Sequence, residues 1–210
     1  MHSADFFAEM LLRIQAVSIR LHPPYLWTSG IRSPLYTDIR MLISFPHERK
    51  QIITALSAII QNTIAYDIGI AGTATAGIPW AAWLADASAL PMVFVRPSQK
   101  KHGKENVIEG KVIEGKEYVV IEDVVSTGAS AIHSINAIRN AGGKVLHSFA
   151  IFSYEFADAF NKFEENNCLL HSLVTFPVLI KKAIALNIIT TAEQASIFSW
   201  KENPAQWQSN

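Results

Sequence analysis

Between residues 67 and 175 short apolar runs alternate with helical patterns, and no other feature constrains the fold as tightly. The runs at 67–71, 91–95, 118–123, 144–152 and 171–175 have strand length and are dominated by apolar residues, so both of their faces are expected to be covered. Residues 78–87 and 128–140, and a stretch between the last two runs, read as helices. Ala141-Gly142-Gly143 stops the second of these. Parallel strands need crossover connections of this kind. The chain is therefore predicted to be α/β, with a central, mostly parallel sheet flanked by helices.

Outside that block the pattern changes. Residues 3–20 are predicted as one amphipathic helix, with Phe6, Phe7, Met10, Leu11, Ile14 and Val17 at helical spacing after a Ser cap. His22-Pro23-Pro24 ends it. Short strands are expected at 25–28 and 35–40 around a turn at 29–34, and Pro46 opens a helix reaching about residue 63. Helices at 177–186 and 191–200 close the chain. Half of the 210 residues are hydrophobic, enough for the core of one domain. Eighteen basic side chains balance eighteen acidic ones, which argues against a nucleic-acid partner. The lone Cys168 excludes an internal disulfide and suits a reducing compartment. Asp5, Glu9 and Arg13 interrupt the N-terminal apolar pattern, and no apolar run reaches bilayer length. A cytoplasmic, soluble protein with no membrane partner is expected.

Chemistry concentrates where the third core strand ends. There Glu122 and Asp123 stand side by side, and Ser126-Thr127-Gly128-Ala129-Ser130 leads into the next helix. In open parallel sheets ligands bind beyond the C-terminal strand ends. The small-residue turn offers amides, hydroxyls and a helix N-terminus to a phosphate. Strand-end carboxylates accept hydrogen bonds from ribose hydroxyls, or lie near a metal travelling with polyphosphate. A ribose carrying a 2′,3′-diol and a 5′-phosphate satisfies both halves. The small-residue turn at 73–77 can bring amides near a pyrophosphate, and residues 97–115 form a long, charge-rich connection of the kind that is usually functional.

"VVIEDVVSTGAS" (119–130) resembles the phosphoribosyl-pyrophosphate (PRPP) signature of type I phosphoribosyltransferases. "WTSGIRSPLYTDIR" (27–40), "IAGTATAGIP" (70–79) and "VRPSQKKHGKENVIEG" (95–110) are similar, in order and spacing, to the orotate phosphoribosyltransferase family. The resemblance implies a single phosphoribosyltransferase domain over 1–210 with the type I fold. A small hood is implied from about 1–40 plus part of the C-terminal region, and a core over about 46–175 with a mobile loop at 97–110. It implies PRPP and orotate as substrates, Mg²⁺ bound through PRPP with no direct protein ligand, and a homodimer whose loop reaches the neighbouring site. Lys100, His102 and Asp123 carry over as catalytic, with Arg96, Lys100 and His102 contacting PRPP. Glu122 and Asp123 carry over as diol ligands. Val124, Val125, Ser126, Thr127, Gly128, Ala129 and Ser130 form the 5′-phosphate segment, and Thr73 and Ala74 lie at the pyrophosphate. Ser126, Arg32 and Tyr36 are candidates for orotate.

The chain also departs from the family pattern. Pro97 and Ser98 stand where some members carry a loop lysine, and Ala76 where some carry a lysine in the pyrophosphate turn. After the fourth core strand the chain reads Ser153-Tyr154-Glu155, where many members place an arginine facing the orotate carboxylate. A purine-base phosphoribosyltransferase and a catalytically silent PRPP-binding regulator are the alternative readings.

Overall fold

The computed structural model describes residues 2–27, 30–64, 67–98 and 107–207. The elements begin with α1 (Ala4–Arg13), β1 (Val17–Ile19), β2 (Tyr25–Leu26), β3 (Arg32–Ser33), β4 (Leu35–Thr37) and a 3₁₀ segment (Ile39–Ser44). Next come α2 (Pro46–Thr63), β5 (Ile68–Thr73), α3 (Gly77–Ser88), β6 (Met92–Val95), β7 (Ile108–Glu109) and β8 (Glu117–Val125). The chain ends with α4 (Ala129–Asn140), β9 (Lys144–Ser153), α5 (Ala157–Glu165), β10 (Leu169–Thr175), α6 (Phe176–Ala185) and α7 (Thr191–Glu202). Two compact units emerge, Arg49–Leu173 and the pair of segments Met1–Glu48 and Val174–Asn210.

The larger unit holds most of a six-stranded sheet in the order β10-β9-β8-β5-β6-β7. β5 pairs in parallel with both β6 and β8, β8 pairs in parallel with β9, and β7 runs antiparallel to β6. From β5 the chain builds outward to β6 on one side, then returns to β8 on the other. That reversal leaves a crevice beyond the C-terminal ends of β5 and β8, where ligands of such sheets bind. The central strand β5 is buried on both faces, as its apolar composition requires, with all six residues buried, whereas Leu146 of β9 and Leu169 of β10 are exposed toward the sheet edge. On one face Tyr118 and Val120 pack with Ala131, Ile135 and Ile138 of α4. Each fully buried side chain of this size contributes about 2 kcal/mol. α3 packs against β5 and β8, so closely that a Cβ on Gly77 would collide with the carbonyl oxygen of Ile121.

In the other unit, α1 buries Phe7, Met10 and Leu11 and packs on α6. The helix expected over 3–20 stops at Arg13. Gln15 adopts a left-handed φ of 60°, and β-branched Val17 and Ile19 then pair with β4 as a strand. The apolar spacing continued past the helix end, but its last members serve a sheet. The Trp200 indole N–H donates to the carbonyl of Arg32 at 3.0 Å, fixing α7 to the β2–β3 hairpin. Among the described residues no helix is long and apolar enough to cross a membrane.

Toward the β9–β10 edge, His147 Nδ1 lies 3.0 Å from His171 Nε2, with ring centroids 5.2 Å apart. The two nitrogens therefore lie almost on the line joining the rings, the geometry of one ring donating its proton to the other. Phe149 stacks on His171 at 4.7 Å. Burial, and then the neighbouring His147, push the His171 pKa below its ordinary value of 6.5. A depressed folded-state pKa adds stability above the unfolded value, and that stability is lost as pH falls through the folded one. Unfolding midpoints in urea are thus expected to fall as pH drops below about 6.5, and His171→Phe should flatten that fall. An equally steep fall in the variant would place the effect elsewhere. Gly77→Ala should lower the unfolding free energy by about 1–3 kcal/mol through backbone overpacking; an unchanged urea midpoint would show that α3 can move away from β8.

Candidate active site

The end of β8 places its two acids differently. Glu122 is buried and Asp123 half-buried, and the Asp123 amide N–H donates to Glu122 Oε1 at 3.2 Å. Burial first, and the Asp123 charge second, raise the Glu122 carboxyl well above its ordinary range. Carboxyl oxygens accept hydrogen bonds in either protonation state, so the two side chains suit hydroxyl groups. Val124 and Val125 remain in the strand, opposite Phe152 and Ser153, and the Val125 side chain is buried. The Val125 carbonyl accepts from the Tyr154 N–H at 3.0 Å, so these valines serve the sheet as much as the expected phosphate segment.

The chain then turns sharply. Gly128 takes φ +76°, and α4 begins at the next residue without a side-chain cap. First-turn amides left uncapped at a helix start are donors for an anion. Ser126 is half-buried, while Thr127, Ala129 and Ser130 are exposed. The expected 5′-phosphate turn therefore sits directly beside the acidic pair.

β5 ends close by. Thr73 Oγ1 donates to Ser134 Oγ at 3.0 Å, and Ser134 Oγ donates to the Ser130 carbonyl at 3.1 Å. This relay ties the β5 terminus to the first turns of α4. The Ala74–Thr75 peptide is cis, and the Ala74 N–H donates to the Val95 carbonyl at 2.9 Å. Thr73, Ala74, Val95, Pro97, Ser130 and His133 line a cavity of about 230 Å³. Arg96 lies between the lining residues Val95 and Pro97 in sequence, with its amide N–H donating to the Val107 carbonyl and its Nε 3.2 Å from Glu109 Oε1. His133 Nε2 lies 3.0 Å from the Arg96 carbonyl, as a hydrogen bond from α4 to the start of the loop. Ile108 and Glu109 pair with Val95 and Phe94, so the end of the expected 97–110 loop is a short strand. Lys100 and His102 lie outside the described residues.

Thr73, Ala74, Arg96, Glu122, Asp123 and the 126–130 turn thus gather at the β5–β8 end of the larger unit. Arg32 and Tyr36 belong to the other unit. Arg32 is exposed on β3, and Tyr36 is 46% exposed with its ring 5.6 Å from Tyr25. Glu155, in the place of the family's arginine, is exposed with φ 52°, between the stacked rings of Tyr154 and Phe156 in sequence. The sequence reading missed His133 and Ser134. The signal was available: Ser130, His133 and Ser134 recur at helical i, i+3, i+4 spacing from the end of the 126–130 turn. Glu109 and Lys162, which bonds the Thr127 carbonyl at 3.0 Å, carried no local signal because their partners are distant in sequence.

Comparison with known proteins agrees with this geometry. Residues 45–164 match the phosphoribosyl transferase domain family. An orotate phosphoribosyltransferase of Coxiella burnetii is 44% identical over 209 residues, covering 99% of this chain and 100% of that protein. The solved orotate phosphoribosyltransferase of Aeropyrum pernix superposes with a TM-score of 0.75 at 28% identity, covering 88% of this chain and 99% of that one. The Leishmania donovani UMP synthase structure shares the fold, with a TM-score of 0.78 at 22% identity; 95% of this chain matches 42% of that longer one. With a type I phosphoribosyltransferase core and near full-length identity of this order, the chain belongs to the orotate phosphoribosyltransferase family.

Proposed function

We propose that the crevice beyond β5 and β8 transfers the 5-phosphoribosyl group from PRPP to N1 of orotate, giving orotidine 5′-phosphate and pyrophosphate. The observation that carries this reading is the acid pair Glu122–Asp123 running directly into the uncapped, glycine-bearing start of α4. In this reading the diol binds Glu122 and Asp123, and the 5′-phosphate binds the turn at 126–130. The pyrophosphate faces Thr73, Ala74 and Arg96. The C1–O bond to pyrophosphate breaks through an oxocarbenium-like state as the bond from N1 to C1 forms on the opposite face. Negative charge grows on the leaving group, so cations brought close in a water-poor site stabilise the transition state. Arg96 is held for that task by Glu109, and Lys100 and His102 are assigned to join it. Orotate has an acidic N–H, so no protein nucleophile is needed, and positioning supplies much of the catalysis.

Mg²⁺ bound with the donor would neutralise charge on the diphosphate. The half-buried Asp123 carboxyl is a hard oxygen group compatible with such an ion nearby, which substrate oxygens would hold. Ser126, Arg32 and Tyr36 are assigned to orotate, with the unit containing Arg32 and Tyr36 acting as the hood. A homodimer, with Lys100 and His102 serving the neighbouring subunit's site, completes the proposal.

Mixing the protein with PRPP, Mg²⁺ and orotate should lower orotate's ultraviolet absorbance as product forms. Turnover of hypoxanthine, guanine or adenine without orotate would identify a purine enzyme instead, and PRPP binding with no turnover a regulator. Lys100→Ala should reduce kcat by about 10²-fold or more, the scale of losing one transition-state charge contact, with a smaller effect on PRPP affinity. Equal, small changes in both would remove Lys100 from the chemistry. Subunits carrying Lys100→Ala mixed with subunits carrying Asp123→Asn should regain partial activity as heterodimers; verified heterodimers without activity would show that each site is self-contained.

A further inference from the structure

The 5′-phosphate turn is backed by α5, an element that none of the family motifs touches. Lys162 extends from the last turn of α5 and donates from Nζ to the carbonyl oxygen of Thr127 at 3.0 Å. Phe163 and Ala159 of the same helix lie behind Gly128, at 3.2 Å and 3.6 Å from where its Cβ would be. α5 is itself anchored to the far end of α4, because the Arg139 guanidinium donates to the Asn166 carbonyl at 2.7 Å. Among the described residues no carboxylate pairs with Lys162, so its ammonium is committed to the turn.

The peptide joining Thr127 to Gly128 is planar, with its C=O and N–H pointing to opposite sides. Holding the carbonyl toward α5 turns the Gly128 N–H away from α5. With Gly128 in the left-handed region and α4 starting immediately after, that N–H joins the first-turn amides as one anion cradle. The ammonium also polarises the peptide and places positive charge behind the cradle, where no side chain at 126–130 carries any.

We propose that Lys162 is a positioning residue for the 5′-phosphate of the donor: it fixes the Thr127–Gly128 peptide in its anion-binding orientation and adds charge to that subsite alone. This rests on the assignment of the 126–130 turn to the 5′-phosphate. The role separates Lys162 from the leaving-group cations, since it acts at the opposite end of the ribose.

The test compares the wild-type chain with Lys162→Met, which keeps the apolar stem, and Lys162→Arg, which keeps the charge and donor. Lys162→Met should raise the Kd for ribose 5-phosphate and the KM for PRPP about threefold to tenfold, the range for one partly exposed charge-assisted hydrogen bond. Inhibition by pyrophosphate, KM for orotate and kcat should stay unchanged, and Lys162→Arg should restore most of the ribose 5-phosphate affinity. Wild-type affinity for ribose 5-phosphate in Lys162→Met would overturn the proposal. So would a matching loss of pyrophosphate affinity, which would mark a general loosening of the fold. Ribose 5-phosphate binding is measured without orotate, so a wild-type chain inactive on orotate would sink the reaction assignment and leave this test standing.

Discussion

The parallel pairing of β5 with β8, from Ile68 opposite Glu117 to Gly72 opposite Ile121, brings two chemically different strand ends to one edge of the sheet. One ends in Thr73 and a small-residue turn, the other in Glu122 and Asp123. Neither end is a site alone. The pairing also depends on α3 lying against β8 at Gly77, where only a missing Cβ allows the approach. A relay from the Thr73 hydroxyl through the Ser134 hydroxyl to the Ser130 carbonyl then locks the start of α4 to the end of β5. Backbone register, one glycine, two hydroxyls and the Ser130 carbonyl thus set the separation between the turn after β5 and the start of α4.

The electrostatics follow from the same arrangement. Carboxyls beside an anion site repel the ligand if both stay charged and point at it. Here Glu122 is buried and shifted toward its protonated form, which moderates the negative charge next to the 126–130 turn. Positive charge enters from elements beyond the motif: Arg96 from the β6–β7 hairpin and Lys162 from α5. The neutral composition of the chain conceals this local segregation, because net charge says nothing about where charges gather.

Much of the fold is legible in the sequence. Pro46 marks the first residue of α2, and Gly142-Gly143 follow directly on the end of α4, because proline and glycine act through local backbone geometry. β8 and its acids are legible because a long apolar run ended by two carboxylates has few alternatives. The end of α1 is not, since a left-handed residue at Gln15 depends on how the next segment pairs. β7 escapes notice because two residues among many charges carry no periodicity. Glu109 and Lys162 become meaningful only through partners brought near by folding. Tyr154 and Glu155 are plain in the sequence as a departure from the family, yet what replaces the arginine depends on packing between distant segments.

The buried Glu122 has a thermodynamic consequence for ligand binding. A carboxyl lifted toward neutrality by its surroundings responds to any change in them. A ligand that alters the solvation of Glu122 shifts the proton affinity of that carboxyl, and any proton taken up or released adds the buffer's ionisation enthalpy to the heat of binding. Calorimetry in buffers of different ionisation enthalpy therefore reads the state of this one side chain.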